Sequence, residues 1–146
     1  MEKERNLGRS FGKAHRAQAR FLDELLKPYG LRHGQLFLLK HILSGDIKCH
    51  KELCRNHLID KAAVSRAVSK LMDSGYLQKR QNPEDKRKSV LLPTEKSQKF
   101  SLILQELLDS FQKQALWDFT AEEEDRFFDY LERVAENLAK GEQIAK

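Results

Sequence analysis

Two short runs of this 146-residue chain hold the side chains best suited to chemistry. Ala62, Ala63, Ser65, Arg66, Ser69 and Lys70 follow Asp60 at helical spacing and share one side of that helix, with Lys61 at its start. A guanidinium such as that of Arg66 can grip the O6 and N7 acceptors of guanine, serine hydroxyls can bond base edges or phosphates, and lysines neutralise phosphates. Ala62 and Ala63, being small, let the backbone of the helix come close to a duplex. The second run, Lys86, Arg87 and Lys88, lies in a turn-rich segment, Asn82 to Lys88. Cations there can follow a phosphate backbone or enter a narrow minor groove, with Arg87 the best placed for the groove.

A third group points elsewhere. His50, Cys54 and His57 stand at i, i+4 and i+7 beside Cys49, and these residue types ligate zinc or copper in other settings. Leu53 shares their face, so packing on a core competes with that reading, and the sequence assigns no metal and no cofactor. No phosphate-binding glycine loop, dinucleotide fingerprint or nucleophile elbow is present, and Ser, His and Asp are not clustered. The sequence therefore predicts no enzyme. The two cysteines are too few to staple a secreted fold and are not spaced C-x-x-C, which favours a reducing compartment.

These residues need elements to position them. Leu7, Phe11, Ala14, Phe21, Leu22 and Leu25 form the apolar stripe of a long first helix that ends at Pro28 and Gly30, with Arg5, Arg9, Lys13, Arg16 and Arg20 on the opposite face. Residues 35 to 43 are apolar nearly all round, predicting a short helix buried on several sides. His50 to Leu58 reads as another short helix. Asp60 is an N-cap for a helix over Lys61 to Ser74 with Gly75 as its terminator, and Val64, Val68, Leu71 and Met72 are its expected core face. Tyr76 to Arg80 and Ser89 to Leu92 read as a β-hairpin around the cationic tip. Thr94 can cap a helix striped with Phe100, Ile103, Leu104, Leu107, Leu108, Phe111 and Ala115. Thr120 with Glu123 makes a capping box for a last helix carrying Phe127, Leu131, Val134 and Leu138.

The resulting fold class is mostly α with a small β-hairpin wing: a winged helix-turn-helix lobe over 31–93 between long terminal helices, 1–30 and 94–146, in a single domain. Hydrophobic residues are 40% of the chain and charged residues 34%, a composition that excludes collagen-like, disordered and membrane-spanning classes. The N-terminus lacks the apolar stretch of a signal peptide, so the expected location is cytoplasmic. The net charge of +5 is unevenly spread. Residues 1–45 carry +5 and 46–100 carry +6, whereas 101–146 carry −6, which suits the first two-thirds to a polyanion. A helix-turn-helix core of this size cannot cover both terminal stripes, so a partner chain is expected to cover them.

The stretch DKAAVSRAVSKLMDSGYLQKRQNPEDKRKSVLLPTEK, with LRHGQLFLLKHI and KELCRNHL before it, resembles the MarR family of transcription regulators, and the resemblance covers essentially the whole chain. Its most specific part is Val64-Ser65-Arg66, Leu71, Gly75 and then Asp85-x-Arg87 leading into Leu92 and Thr94. The resemblance implies a recognition helix over Asp60 to Ser74, a wing around Asp85 and Arg87, DNA contacts from Ser65, Arg66 and Arg87, and an ion pair through which Asp85 braces the wing. It also implies a homodimeric repressor on an inverted-repeat operator of double-stranded DNA, responsive to a small aromatic or amphipathic effector that His15, Phe37, His41 and Phe100 could line. The chain departs from the family pattern at Arg32, Pro93 and Ser97, positions that concern caps and hinges. Two other readings stay open: a metal- or redox-responsive regulator using His50, Cys54 and His57, or a helical interaction protein without DNA binding. The family's redox-sensing members carry their reactive cysteine in the first helix, where this chain has none.

Overall fold

Asn6 opens the first helix, α1 (Leu7–Leu26), by accepting the Arg9 N–H through its side-chain oxygen at 2.8 Å. The computed structural model describes residues 5–45 and 60–144. At its far end α1 runs into a 3-10 turn, Lys27–Tyr29, in which Pro28 fits the first turn and Gly30 closes it at a φ of 70°. The second helix, α2 (His33–Ser44), begins two residues before the apolar run that predicts it. The reason lies in its caps: the Asp23 carboxylate on α1 accepts the His33 N–H at 2.8 Å, and the Gln35 side chain accepts the Arg32 N–H at 2.8 Å. Both satisfy donors that a helix start leaves without partners. Leu36, Leu38, Leu39 and Ile42 are buried, so α2 packs on several sides as its composition predicts, with Phe37 and Lys40 outward.

The predicted short helix over His50 to Leu58, and with it Cys49, His50, Cys54 and His57, lies outside the described residues. The next helix, α3 (Lys61–Asp73), is N-capped by Asp60, whose carboxylate accepts the Ala62 N–H at 3.3 Å. It stops in a paired closure: the Tyr76 N–H bonds the Leu71 carbonyl at 2.9 Å and the Gly75 N–H bonds that of Met72 at 3.1 Å, with Gly75 at a φ of 79°. That double bond and the buried Leu71 and Tyr76 side chains form a Schellman closure. The core face of α3 differs from expectation in one residue. Val64, Val68 and Leu71 are buried, but Met72 is 40% exposed and Ala67 is buried in its stead. At about 100° per residue, Ala67, Leu71, Val64 and Val68 fall in that order across one arc of about 100°, and Met72 lies about 40° beyond its Val68 edge.

Because Tyr76 completes that closure, the hairpin starts one residue later than predicted. Strand β1 (Leu77–Gln81) pairs antiparallel with β2 (Ser89–Pro93) in the register Leu77 to Pro93 through Gln81 to Ser89. Pro93 belongs to the strand: in a two-stranded sheet its missing N–H costs no ladder bond, and its carbonyl takes a bond from the Gln78 side chain at 3.0 Å. The remaining helices among the described residues are α4 (Glu95–Ala115) and α5 (Ala121–Ile144). This mostly helical fold with one hairpin wing is the class the sequence predicts.

Two compact units divide the chain, Met1–Leu108 and Asp109–Lys146. The first holds the core, where Leu26, Leu39, Leu71 and Leu91 from α1, α2, α3 and β2 are all but fully buried. Leu26 is absent from the predicted stripe, because α2 and the 3-10 turn wrap the end of α1 and widen its buried arc. In the second unit no described side chain is buried. Its contacts include the capping box, with the Thr120 N–H on Glu123 at 2.9 Å and the Glu123 N–H on Thr120 at 3.2 Å, and edge-to-face rings at Phe119–Phe127 and Phe127–Phe128. Among the described residues no helix is long and apolar enough to cross a membrane.

Candidate nucleic-acid interface

The outward side of α3 carries the side chains that the sequence singles out. Lys61, Ala62, Ser65, Arg66, Ser69 and Lys70 are exposed and Ala63 is half-buried. Among the described residues none of Lys61, Arg66 and Lys70 is held in an ion pair, so their donors face solvent. The Asp60 cap fixes where this face begins, and Val64, Ala67, Val68 and Leu71 fix its rotation by burying the other side.

Beyond Gly75 the wing is built from its own polar groups. Asn82 and Asp85 each accept a backbone N–H two residues on, from Glu84 and from Arg87, both at 3.0 Å. The Gln81 side chain adds a bond to the Lys86 carbonyl at 2.9 Å, and Asn82 N–H to Lys88 carbonyl closes the tip at 2.9 Å. Lys86, Arg87 and Lys88 are thereby all exposed on one short tip. Asp85 corrects the sequence reading: among the described residues it forms no ion pair and braces the wing by capping its own turn, because a carboxylate two residues before an N–H reaches that donor more readily than the Arg87 guanidinium. Sequence reasoning also passed over Lys79 and Arg80, exposed on β1 between α3 and the tip, although the basic end of the predicted strand signalled them.

A clasp sets the wing and α3 against the rest of the unit. The Thr94 hydroxyl donates to the Gly75 carbonyl at 2.6 Å and accepts the Ser97 N–H at 3.2 Å, while the fully buried Ser97 hydroxyl accepts the Thr94 N–H at 2.8 Å. Lys96 bonds the Ser74 carbonyl at 2.7 Å and lies over the Tyr76 ring at 4.4 Å. The Tyr76 hydroxyl donates to the Tyr29 carbonyl at 2.8 Å, and Phe100 packs against both tyrosine rings. Burial first, and then the neighbouring Tyr29, push the Tyr76 phenol up from its ordinary value. On the opposite side of the lobe, burial pulls the Asp23 carboxyl up, but the bonds from the His33 N–H and ring and the charges of His33 and Arg32 outweigh it and leave the acid below its usual range.

The residues named for an effector do not form one group. Phe100 belongs to the tyrosine cluster, Phe37 and His41 meet ring to ring at 4.5 Å on α2, and His15 faces His33 at 6.1 Å. In the second unit a groove of about 410 Å³ is lined by Gln112, Lys113, Leu116, Trp117 and Glu124. Among the described residues no cluster of three or more His, Cys, Asp or Glu side chains is arranged to hold a metal ion.

Known proteins share this arrangement. The MarR family pattern matches residues 34–89. The HTH-type transcriptional regulator BilQ of Clostridioides difficile is 31% identical over 114 residues, 78% of this chain and 73% of BilQ. A MarR protein from Peptoclostridium difficile is 30% identical, superposes with a TM-score of 0.82 and is covered over 96% of its length by the whole of this chain. The chain belongs to the MarR family of transcription regulators. A further MarR-family structure, from Listeria monocytogenes and described as complexed with 26mer DNA, is 28% identical with a TM-score of 0.82 over 94% of this chain and 91% of that one.

Proposed function

We propose that this MarR-family chain is a cytoplasmic, homodimeric repressor whose two α3 helices read an inverted-repeat operator, and whose affinity for DNA responds to a small aromatic or amphipathic anion. The observation that carries the DNA reading is the α3 face itself: capped by Asp60, it exposes Ser65, Arg66, Ser69 and Lys70 while its other side is buried. In this reading Arg66 contacts guanine, Ser65 and Ser69 contact base edges or phosphates, Lys61 and Lys70 contact phosphates, and Ala62 and Ala63 allow close approach. Arg87 enters the minor groove, flanked by Lys86 and Lys88 on phosphates. A Listeria relative of the same fold, described as complexed with 26mer DNA, supports the choice of partner.

Residues 31–93 form the DNA-binding lobe and 1–30 with 94–146 the dimerisation helices of a single domain. Leu7 and Phe11 on α1, and Phe127, Leu131 and Leu138 on α5, are at least 38% exposed in the single chain, which supports a second copy as their cover. A two-fold dimer spaces its recognition helices about one DNA turn, roughly 34 Å, apart. Fluorescence anisotropy of the purified chain against its upstream DNA and against scrambled DNA, at two salt concentrations, tests the reading. Tight, salt-sensitive binding that prefers an upstream inverted repeat is expected, and equal affinity for both DNAs would refute sequence-specific recognition.

A further inference from the structure

The charged faces of the first and last helices are matched in a way the DNA reading leaves unused. On α1, Arg9, Lys13, Arg16 and Arg20 fall within about 60° of arc and span about 16 Å of helix. From Arg5 to Leu22 there is no acidic residue, and the first turn of α1 lacks the carboxylate that a helix start favours. The stacking of Arg9 with Lys13 and of Arg16 with Arg20 at i,i+4 is itself destabilising. On α5, Glu122, Asp125, Asp129, Glu132 and Glu136 fall within about 80° of arc and span about 21 Å. Arg126, Arg133 and Lys140 border that arc on one side, and Arg133 is drawn over the Tyr130 ring. All the residues of both stripes are exposed, and among the described residues none of them is in an ion pair.

Each stripe lies on the side of its helix opposite the apolar one: Leu7, Phe11 and Ala14 on α1, and Phe127, Leu131, Val134 and Leu138 on α5. A dimer that buries the apolar faces therefore leaves both charged faces pointing outward. We infer that the cationic face of α1 docks on the acidic face of α5 in a further copy of this chain, so that one dimer associates with the next through complementary charge. The inference rests on the dimer proposed above. Exposed ion pairs are individually weak and screened by salt, so the contact is weak when dimers are free in solution. It gains effect where adjacent operator sites hold two dimers at high effective concentration.

Sedimentation velocity of the full chain at about 0.05 M and about 0.5 M salt reads this directly. The expected result is species larger than a dimer at low salt and dimers alone at high salt, with association at least about tenfold weaker across that range. Replacing Arg9, Lys13, Arg16 and Arg20 together by Glu should leave dimers at both salts, as should replacing Asp125, Asp129, Glu132 and Glu136 together by Lys. Mixing those two variants should restore the larger species. A milder set, R9Q with K13Q, R16Q and R20Q, should give the same loss if the glutamate set fails to fold by circular dichroism. Dimers alone at low salt for the unaltered chain would overturn the inference and leave the dimer standing, whereas monomers at every salt would overturn the dimer itself. A glutamine set that keeps the larger species but loses DNA affinity would also overturn it, assigning the α1 face to DNA.

Discussion

In the proposed reading base recognition turns on Arg66, because it joins a bidentate donor to a helix face fixed by a cap and a buried stripe. Arg66→Ala should cost about 1–3 kcal/mol on the operator and relax preference at one base position, while random DNA loses less. Anisotropy titrations against operator variants measure both, and an equal loss on all sequences would reduce Arg66 to a phosphate contact. Arg87 belongs to the tip that Asn82 and Asp85 shape. If it neutralises one phosphate, Arg87→Ala lowers the slope of log affinity against log salt by about one. An unchanged slope would remove Arg87 from the phosphate contacts. Asp23 acts on stability. Its carboxyl is held below the ordinary 3.8, so its contribution is present above that value and is lost as pH falls through the lowered one. Asp23→Asn should destabilise the chain at neutral pH by about 1 kcal/mol or less, the Arg32 and His33 partners being partly exposed, and the difference from the parent should vanish in strong acid. Denaturant melts of both proteins across that pH range check it; a difference that persists at the acid end would show packing, not charge. At this scale the types and spacing in the sequence were enough to place Arg66 on the exposed side of α3 and Arg87 on the exposed tip. They were not enough for Asp23, because its partners are nine and ten residues away on another helix, and no local pattern encodes that contact.

The legibility of each element followed how local its determinants are. Asp60 and Gly75 bound α3 within the residue or two that a cap allows, and Thr120 with Glu123 starts α5 as their spacing predicts. The misplacements arise where two elements share a residue. Tyr76 was read as strand but closes α3, and the start of α2 depends on a carboxylate donated by α1. Ser97, which reads in the sequence as a departure from family pattern, is in the structure the buried half of a reciprocal cap with Thr94. That cap is also a strut, because the same Thr94 hydroxyl holds the Gly75 carbonyl. Gly75 is thus the joint between α3, the hairpin and α4. Its φ of 79° is a conformation L side chains rarely adopt, while a Cβ built there meets nothing closer than the Lys96 side chain at 3.7 Å. Gly75→Ala should therefore cost about 1–2 kcal/mol from backbone conformation alone, with no steric clash to add to it. Thermal melts of the variant and the parent measure this. A loss well above that range would mean that the clasp gives way as well.

For the whole molecule, the sequence disclosed the charge asymmetry and the apolar stripes but not which stripes the chain covers by itself. The lobe built from α1 to the start of α4 buries its centre at Leu26, Leu39, Leu71 and Leu91 but leaves Leu7 and Phe11 at the start of α1 exposed, and no described side chain of the second unit is buried. Trp117 at 76% exposure, Leu138 at 60% and Phe128 at 47% would lose apolar area to water in an isolated chain. At about 25 cal/mol per Å² that area is a drive to associate. It also leaves α5 without the packing of an amphipathic face from which most helical stability in proteins comes. Folding and dimerisation should accordingly be one linked equilibrium. A hundredfold dilution of a linked dimer removes about 2.7 kcal/mol of apparent stability, which for two chains of this length lowers Tm by about 4 °C. Calorimetry at two chain concentrations, in high salt so that charged contacts between dimers are screened, measures the shift. Leu131→Lys, which places an ammonium in the face that a partner covers, should lower Tm and promote dissociation in sedimentation, leaving the outward face of α3 unaltered. A Tm independent of concentration for the parent would mean that the second unit is stabilised without a partner, and would remove the physical reason for two recognition helices on one operator.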